Sequence, residues 1–171
     1  MRMLVMGILL VLNIVFQSTL SPAIAINGVV PNFMMVTIVS FAILRGRVEG
    51  ALIGLVFGLT QDILFGDVIG FYLLLYFYAG FLCGHLNRAF YRESIMIPLV
   101  MVGISEFLFN MLVYVSTFLF RGKVDFAVYL FYTIIPVVTY TTLAAVILYR
   151  LYIILNLKLE AHEHRERDFK T

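Results

Sequence analysis

The 171-residue chain is poor in charge, cysteine and tryptophan. Only 13% of its residues are charged, whereas a soluble globular domain has about 25% charged residues. This shortage excludes an ordinary soluble domain, a disordered chain and a nucleic-acid-binding protein. The single cysteine, Cys83, excludes an intramolecular disulfide and a cysteine-based metal cluster. The net charge of +2 is small and points to no strongly charged partner.

Apolar residues fill the chain instead, at 63% of the total and with a mean hydropathy of +1.03. One bilayer crossing takes roughly 20 residues, so the length predicts an all-α membrane bundle of about six helices. Pro136 should kink the long sixth helix, because proline lacks a backbone donor. The apolar runs cover residues 3–20, 29–44, 48–64, 68–86, 95–120 and 126–157, which form one transmembrane domain (1–157) before a charged tail at 158–171.

A cleaved signal peptide is the competing interpretation of the N-terminus. Arg2 precedes an apolar stretch, and Ala23-Ile24-Ala25 resembles an A-x-A cleavage site. The stretch is longer than a usual signal-peptide core, however, and contains Asn13 and Gln17. We therefore expect the first run to be retained as a transmembrane helix.

The distribution of basic residues predicts the orientation. With the N-terminus in the cytoplasm, ten lysines and arginines fall on the inner side and two on the outer side, a strong positive-inside bias. Six crossings would place both termini in the cytoplasm. The inner residues are Arg2, Arg45, Arg47, Arg88, Arg92, Arg150, Lys158, Arg165, Arg167 and Lys170, and the outer ones are Arg121 and Lys123.

Small residues repeat every four positions through the third run. Gly50, Gly54 and Gly58 form two overlapping G-x-x-x-G units, and Asp62, Gly66 and Gly70 continue the spacing. Glycine at this spacing lets two helix backbones approach closely, and van der Waals packing then drives association in lipid. The stripe therefore predicts either packing within this bundle, which we favour, or an interface with a partner helix.

Polar side chains also lie within the first and fifth apolar runs: Asn13 and Gln17 in the first, and Glu106 and Asn110 in the fifth. An ionisable group inside a membrane is a functional hypothesis by default. Three interpretations of Glu106 stay open. It could be protonated and hydrogen-bonded across helices, bind a substrate or ion in a central cavity, or contact a helix of another protein.

Signatures of catalysis and of cofactor binding are missing, so the sequence predicts a protein that is not an enzyme. There is no H-E-x-x-H motif, no Walker A sequence, and no intramembrane Ser–His pairing. An aspartyl mechanism needs two carboxylates in one site, for which only Asp62 with Asp67 or Asp125 is available. His162 and His164 lack a third metal ligand. We expect no catalytic, cofactor or metal site.

Several short motifs in the first half of the chain follow one order. They are Gln17-Ser18-Thr19-Leu20, Pro31-Asn32, Arg45-Gly46, Glu49-Gly50-Ala51, and the segment from Gly54 to Asp62 followed by Gly66 and Gly70. Over about residues 1–86, this order resembles the MreD family, the rod shape-determining membrane proteins of bacteria. Position 32 is Asn where the family is expected to favour Asp, so no charged role is assigned there.

The resemblance implies a non-enzymatic scaffold of the cell-elongation machinery that makes peptidoglycan. Its expected partners are MreC, with MreB, RodA and a class B penicillin-binding protein reached through the complex. The resemblance also implies the fold of the six-helix substrate-binding subunits of energy-coupling-factor transporters. The alternative function is therefore a vitamin transporter subunit with a water-filled, outward pocket lined by Glu106 and Asn110.

Overall fold

The computed structural model describes residues 2–20, 23–25, 28–66, 68–85, 95–121 and 125–168. These residues form six helices, which confirms the all-helical, six-helix prediction for the described part of the chain. The helices are α1 (Arg2–Val15, extended by a π-helical turn at Phe16–Leu20), α2 (Phe33–Arg45), α3 (Arg47–Phe65), α4 (Phe71–His85), α5 (Met96–Arg121) and α6 (Phe126–Tyr129, a π-helical turn at Leu130–Ile134, and Ile135–Asp168).

Three of the helices are long and apolar enough to cross a membrane: Arg47–Phe65, Met96–Ser116 within α5, and Phe126–Leu159 within α6. Three shorter apolar helical segments, Gly7–Thr19, Phe33–Arg45 and Phe71–His85, complete the set. The apolar helices make the chain a multi-pass membrane protein.

Helix α2 is the centre of the bundle. Every residue from 33 to 44 is buried, because α3, α4, α5 and α6 all pack against it. A helix that is apolar on all sides is typical of a protein core or of a membrane span, and the neighbouring helices cover α2. Its 13 residues span only about 20 Å at about 1.5 Å per residue, so it is shorter than the hydrocarbon layer of about 30 Å. One end of α2 therefore lies within the depth of the membrane.

Helix α6 passes through Pro136 without ending. The π-helical turn at Leu130–Ile134 lies directly before the proline, where its missing N–H leaves the regular hydrogen-bond ladder incomplete. Beyond the membrane span, the same helix continues to Asp168, so most of the predicted tail is helical. The sequence predictions that concern Asp67, Arg88, Arg92, Lys123 and Lys170 lie outside the described residues.

Candidate functional site

The start of α2 is the first place where polar side chains from several helices meet. The first N–H groups of a helix have no partner within it, and inside a membrane water is not available to bond them. Asn32 supplies one partner, because its Oδ1 accepts a hydrogen bond from the N–H of Met35 at 3.1 Å. Gln17 of α1 accepts from the N–H of Phe33 at 3.3 Å. Thr141 of α6 accepts from the N–H of Asn32 at 3.0 Å. The N-cap of α2 and side chains of α1 and α6 thus satisfy the backbone at the start of α2.

The side chain of Asn32 also binds α4 and α5. Its Nδ2 donates to Glu106 Oε2 at 3.1 Å and contacts the hydroxyl of Tyr76, also at 3.1 Å. Asn110 donates from Nδ2 to Glu106 Oε1 at 2.9 Å and to the carbonyl oxygen of Glu106 at 2.8 Å. We call Asn32, Tyr76, Glu106, Asn110 and Thr141 the Asn32 cluster. It joins α2, α4, α5 and α6 at one point.

Most of the Asn32 cluster is buried, and Asn32 itself is partly exposed. Glu106 is 1% exposed and Asn110 is 8% exposed. On the α4 side, the ring of Tyr76 stacks on that of Phe109, with centroids 5.0 Å apart and planes 6° from parallel. The carboxyl of Glu106 accepts hydrogen bonds from amide groups only, so within the described residues the cluster holds no cation against it. This arrangement is suited to fixing helices relative to one another.

Asp62 satisfies a second helix start. Its Oδ2 accepts from the N–H groups of Gly70 at 2.9 Å and Leu73 at 3.0 Å, and its Oδ1 accepts from Tyr72 at 2.9 Å. Asp62 is 2% exposed and lies near the end of α3, so it caps the first turn of α4 from the preceding helix. A carboxylate is well placed there, because the N-terminus of a helix carries partial positive charge. We call this arrangement the Asp62 cap.

The glycines of the sequence stripe divide into two groups. Gly50, Gly54 and Gly58 lie against the backbone of α4: a Cβ atom at Gly50 would come within 2.6 Å of the Gly80 carbonyl oxygen, and one at Gly58 within 2.8 Å of the Tyr72 carbonyl oxygen. These distances leave no room for a side chain, so the three glycines are needed for the close contact of α3 with α4.

Gly66 and Gly70 belong to the turn between α3 and α4 rather than to the helix contact. The N–H of Gly66 donates to the carbonyl oxygen of Asp62 at 3.1 Å and ends α3. Gly70 has a φ of +101°, a conformation that glycine adopts without strain, and its N–H reaches the Asp62 carboxylate. The stripe therefore combines a helix contact with the turn that follows it.

Asn13 lies in a third polar group, with Thr37 of α2 and Tyr152 of α6. The hydroxyl of Thr37 is 3.0 Å from Asn13 Oδ1 and 2.7 Å from the hydroxyl of Tyr152. Asn13 and Gln17 therefore both bond α1 to α2, one at Thr37 and the other at the start of the helix. This group of three residues, the Thr37 cluster, attaches α1 and α6 to the central helix.

Sequence reasoning missed Asn32, Tyr76, Thr37, Thr141 and Tyr152. A signal was present for Asn32, because Asn directly before an apolar run is a favoured N-cap. The hydroxyl groups gave no comparable signal, since Ser and Thr inside a membrane helix often bond to the carbonyl one turn back and Tyr is common in apolar helices. Thr142 does so, donating to Val138 at 2.7 Å.

The described residues offer no arrangement for metal binding or aspartyl chemistry. Within them, no group of three or more His, Cys, Asp or Glu side chains is placed to hold a metal ion. Asp62 and Glu106 belong to different clusters, and each carboxyl bonds to N–H donors. Asp125 is exposed at the start of α6, and Asp67 lies outside the described part of the chain. The polar groups that the structure brings together are therefore suited to holding helices in place.

Comparison with known proteins identifies the family. The model of the rod shape-determining protein MreD family matches residues 1–159, which include all six apolar segments and every residue of the Asn32 cluster, the Thr37 cluster and the Asp62 cap. No curated protein and no solved structure matches the chain. The sequence resemblance, seen only in the first half of the chain, thus extends through α6. The chain belongs to the MreD family of rod shape-determining proteins.

Proposed function

We propose that this protein is a non-enzymatic scaffold of the bacterial cell-elongation complex and that it binds MreC within or at the membrane. The family match over residues 1–159 is the observation that carries the proposal, because rod shape determination is the role of that family. Through MreC, the scaffold would reach MreB, RodA and a class B penicillin-binding protein. The positive-inside bias of the sequence supports placing both termini in the cytoplasm.

The interior of the bundle supports a scaffold over a transporter subunit. A substrate-binding subunit would need Glu106 and Asn110 to line a water-filled pocket. Both side chains are buried instead and bond to each other at 2.9 Å. A cavity of about 340 Å³ lies between α4 and α5, and neither residue lines it. The polar groups are thus used in fixing the helices.

A partner helix would meet the outer faces of the bundle. The glycine contact of α3 is occupied by α4, and the side chains of the polar clusters are mostly buried and bonded to one another, so these surfaces offer little to another protein. Exposed apolar side chains are found on several helices, including Val11 of α1, Leu108 of α5 and Ile147 of α6. Lipid tails are as apolar as the helix surfaces, so helices in a membrane associate through close packing. The fit between the surfaces of the two proteins would therefore decide which face of the bundle MreC contacts.

The test is site-specific photo-crosslinking in native membranes. A photoreactive amino acid would be placed singly at Val11, at Val115 of α5 outside the cavity, and at Ile147, and at buried Met35 as the matched control. The proposal expects a crosslink to MreC from one exposed face and none from Met35. Purification of the unmodified chain with stoichiometric MreC would agree. Recovery of an ATPase pair and a transmembrane coupling subunit, without MreC, would contradict the proposal and favour the transporter.

A further inference from the structure

The cavity between α4 and α5 is an apolar groove that opens at the side of the bundle. Residues 75–83 of α4 form one wall, residues 101–112 of α5 form the other, and Met35 of α2 lies at the floor. The two walls are joined at the floor, where Cys83 Sγ lies 3.2 Å from Ser105 Oγ. Its volume of about 340 Å³ is more than double that of a cavity of about 150 Å³, which takes up benzene.

The dimensions of the groove decide what fits it. Residues 101–112 of α5 span about 16 Å along the helix axis, close to the depth of one leaflet, about 15 Å. An apolar groove of this length fits one acyl chain within a single leaflet, which leaves the headgroup of the lipid at the end of the groove.

A basic pair lies at one end of this groove. His85 follows Leu82, a groove residue, by about one turn on the exposed side of α4. Arg47, at the start of α3, approaches it with Nη1 3.4 Å from His85 Nε2, and both residues are exposed. Arg45 differs, because it is bonded to Asn156 at 2.6 Å and to Glu49 at 3.4 Å. Arg47 directs one N–H toward His85, and its exposed guanidinium carries further N–H donors at this end of the groove, where a phosphate would lie.

We propose that the groove binds one phospholipid with an anionic headgroup. One acyl chain lies between α4 and α5, and the phosphate contacts Arg47 and His85. The apolar lining and the length of one leaflet suit an acyl chain. The basic pair at the end of the groove favours a negatively charged headgroup. The site is independent of MreC binding and adds a lipid requirement to the bundle.

The chain contains no tryptophan, which makes a direct test simple. Tyr78→Trp puts an indole at the groove wall, and Ile147→Trp puts one on the lipid-facing side of α6. Each variant would be reconstituted in phosphatidylcholine vesicles with increasing phosphatidylglycerol that carries brominated chains, which quench indole fluorescence. The proposal expects half-maximal quenching at position 78 at a phosphatidylglycerol fraction about fivefold lower than at position 147, given the attraction of a basic residue for anionic lipid.

Substitution of the two residues proposed to contact the headgroup distinguishes lipid bound in the groove from bulk lipid. Arg47→Gln with His85→Gln should bring position 78 back to the curve of position 147. The control is Arg150→Gln, which removes an exposed arginine of α6 and should leave the difference intact. Native mass spectrometry of the unmodified chain should show retained phosphatidylglycerol, and the double variant should lose it.

Three results would overturn the proposal. Equal quenching at positions 78 and 147 would mean that bulk lipid alone fills the groove. Selectivity that survives in the double variant would remove the headgroup contact. Quenching at position 78 that disappears when MreC is reconstituted with the chain would assign the groove to the partner protein. The last result would leave the scaffold function intact, so the two proposals fail separately.

Discussion

Replacing Asp62 by Ala should destabilise the bundle by removing the Asp62 cap. Three backbone N–H groups, those of Gly70, Tyr72 and Leu73, would lose their acceptor in a buried position. A hydrogen bond to a charged group contributes about 1.5–3 kcal/mol, and loss of a helix cap costs about 0.5–2 kcal/mol. Because neighbouring contributions are not additive, we expect a loss of about 3–5 kcal/mol in the free energy of unfolding.

Asp62→Asn keeps the size and shape of the side chain but removes one of its two acceptor oxygens, so it tests the hydrogen bonds of the cap. The amide keeps one oxygen, which can still accept from Gly70 and Leu73 as Oδ2 does now. Its NH₂ group then faces the N–H of Tyr72, and two donors repel. We expect Asp62→Asn to cost about 1–3 kcal/mol, between the wild type and the Ala variant.

The single cysteine supplies the assay. Cys83 is buried in α4, so a fluorogenic thiol reagent reacts with it when the bundle opens on heating. Asp62→Ala should lower the Tm by roughly 6–20 °C. Thr60→Ala is the matched control, because the Thr60 hydroxyl donates only to Val56 of its own helix, and the change should stay within about 0.5 kcal/mol. An Asp62→Ala variant as stable as Thr60→Ala would refute the cap.

Two further changes test the other polar and glycine contacts with the same assay. Gly54→Ala would place a methyl group against the α4 backbone and should reduce the free energy of unfolding by about 1–3 kcal/mol. The control is Gly7→Ala, which has open space around it and should be neutral or slightly stabilising. Equal effects of the two substitutions would contradict the close α3–α4 contact. Glu106→Ala should cost about 2–3 kcal/mol by leaving the amides of Asn32 and Asn110 without their acceptor, and Glu106→Gln about 1–2 kcal/mol, because its NH₂ group would face one of these two amide donors. Glutamine as harmful as alanine would show that the charge of Glu106 is required.

The fold class was accessible from the sequence, whereas the pairing of its polar groups was not. Apolar runs long enough to cross a bilayer predicted the six helices, since hydropathy and length are local properties. Glu106 and Asn110 could be paired in advance because they lie one helical turn apart, and they do bond to each other. Asn32 and Glu106, 74 positions apart, could not be paired, because in a membrane helix nearly every face is apolar and periodicity does not show which face turns inward.

The glycine stripe shows the same division. From its sequence alone, α3 had a face able to touch another backbone, since four-residue spacing of glycine fixes that capacity. Only the tertiary structure decided that α4 of the same chain occupies that face and that the stripe ends in a turn held by Asp62. The sequence by itself determined how many helices there are and which residues within them are polar. Only the tertiary structure decided that Thr141, 109 positions away, accepts a hydrogen bond from the N–H of Asn32 at the start of α2, because the packing of α6 against α2 brings the two groups together.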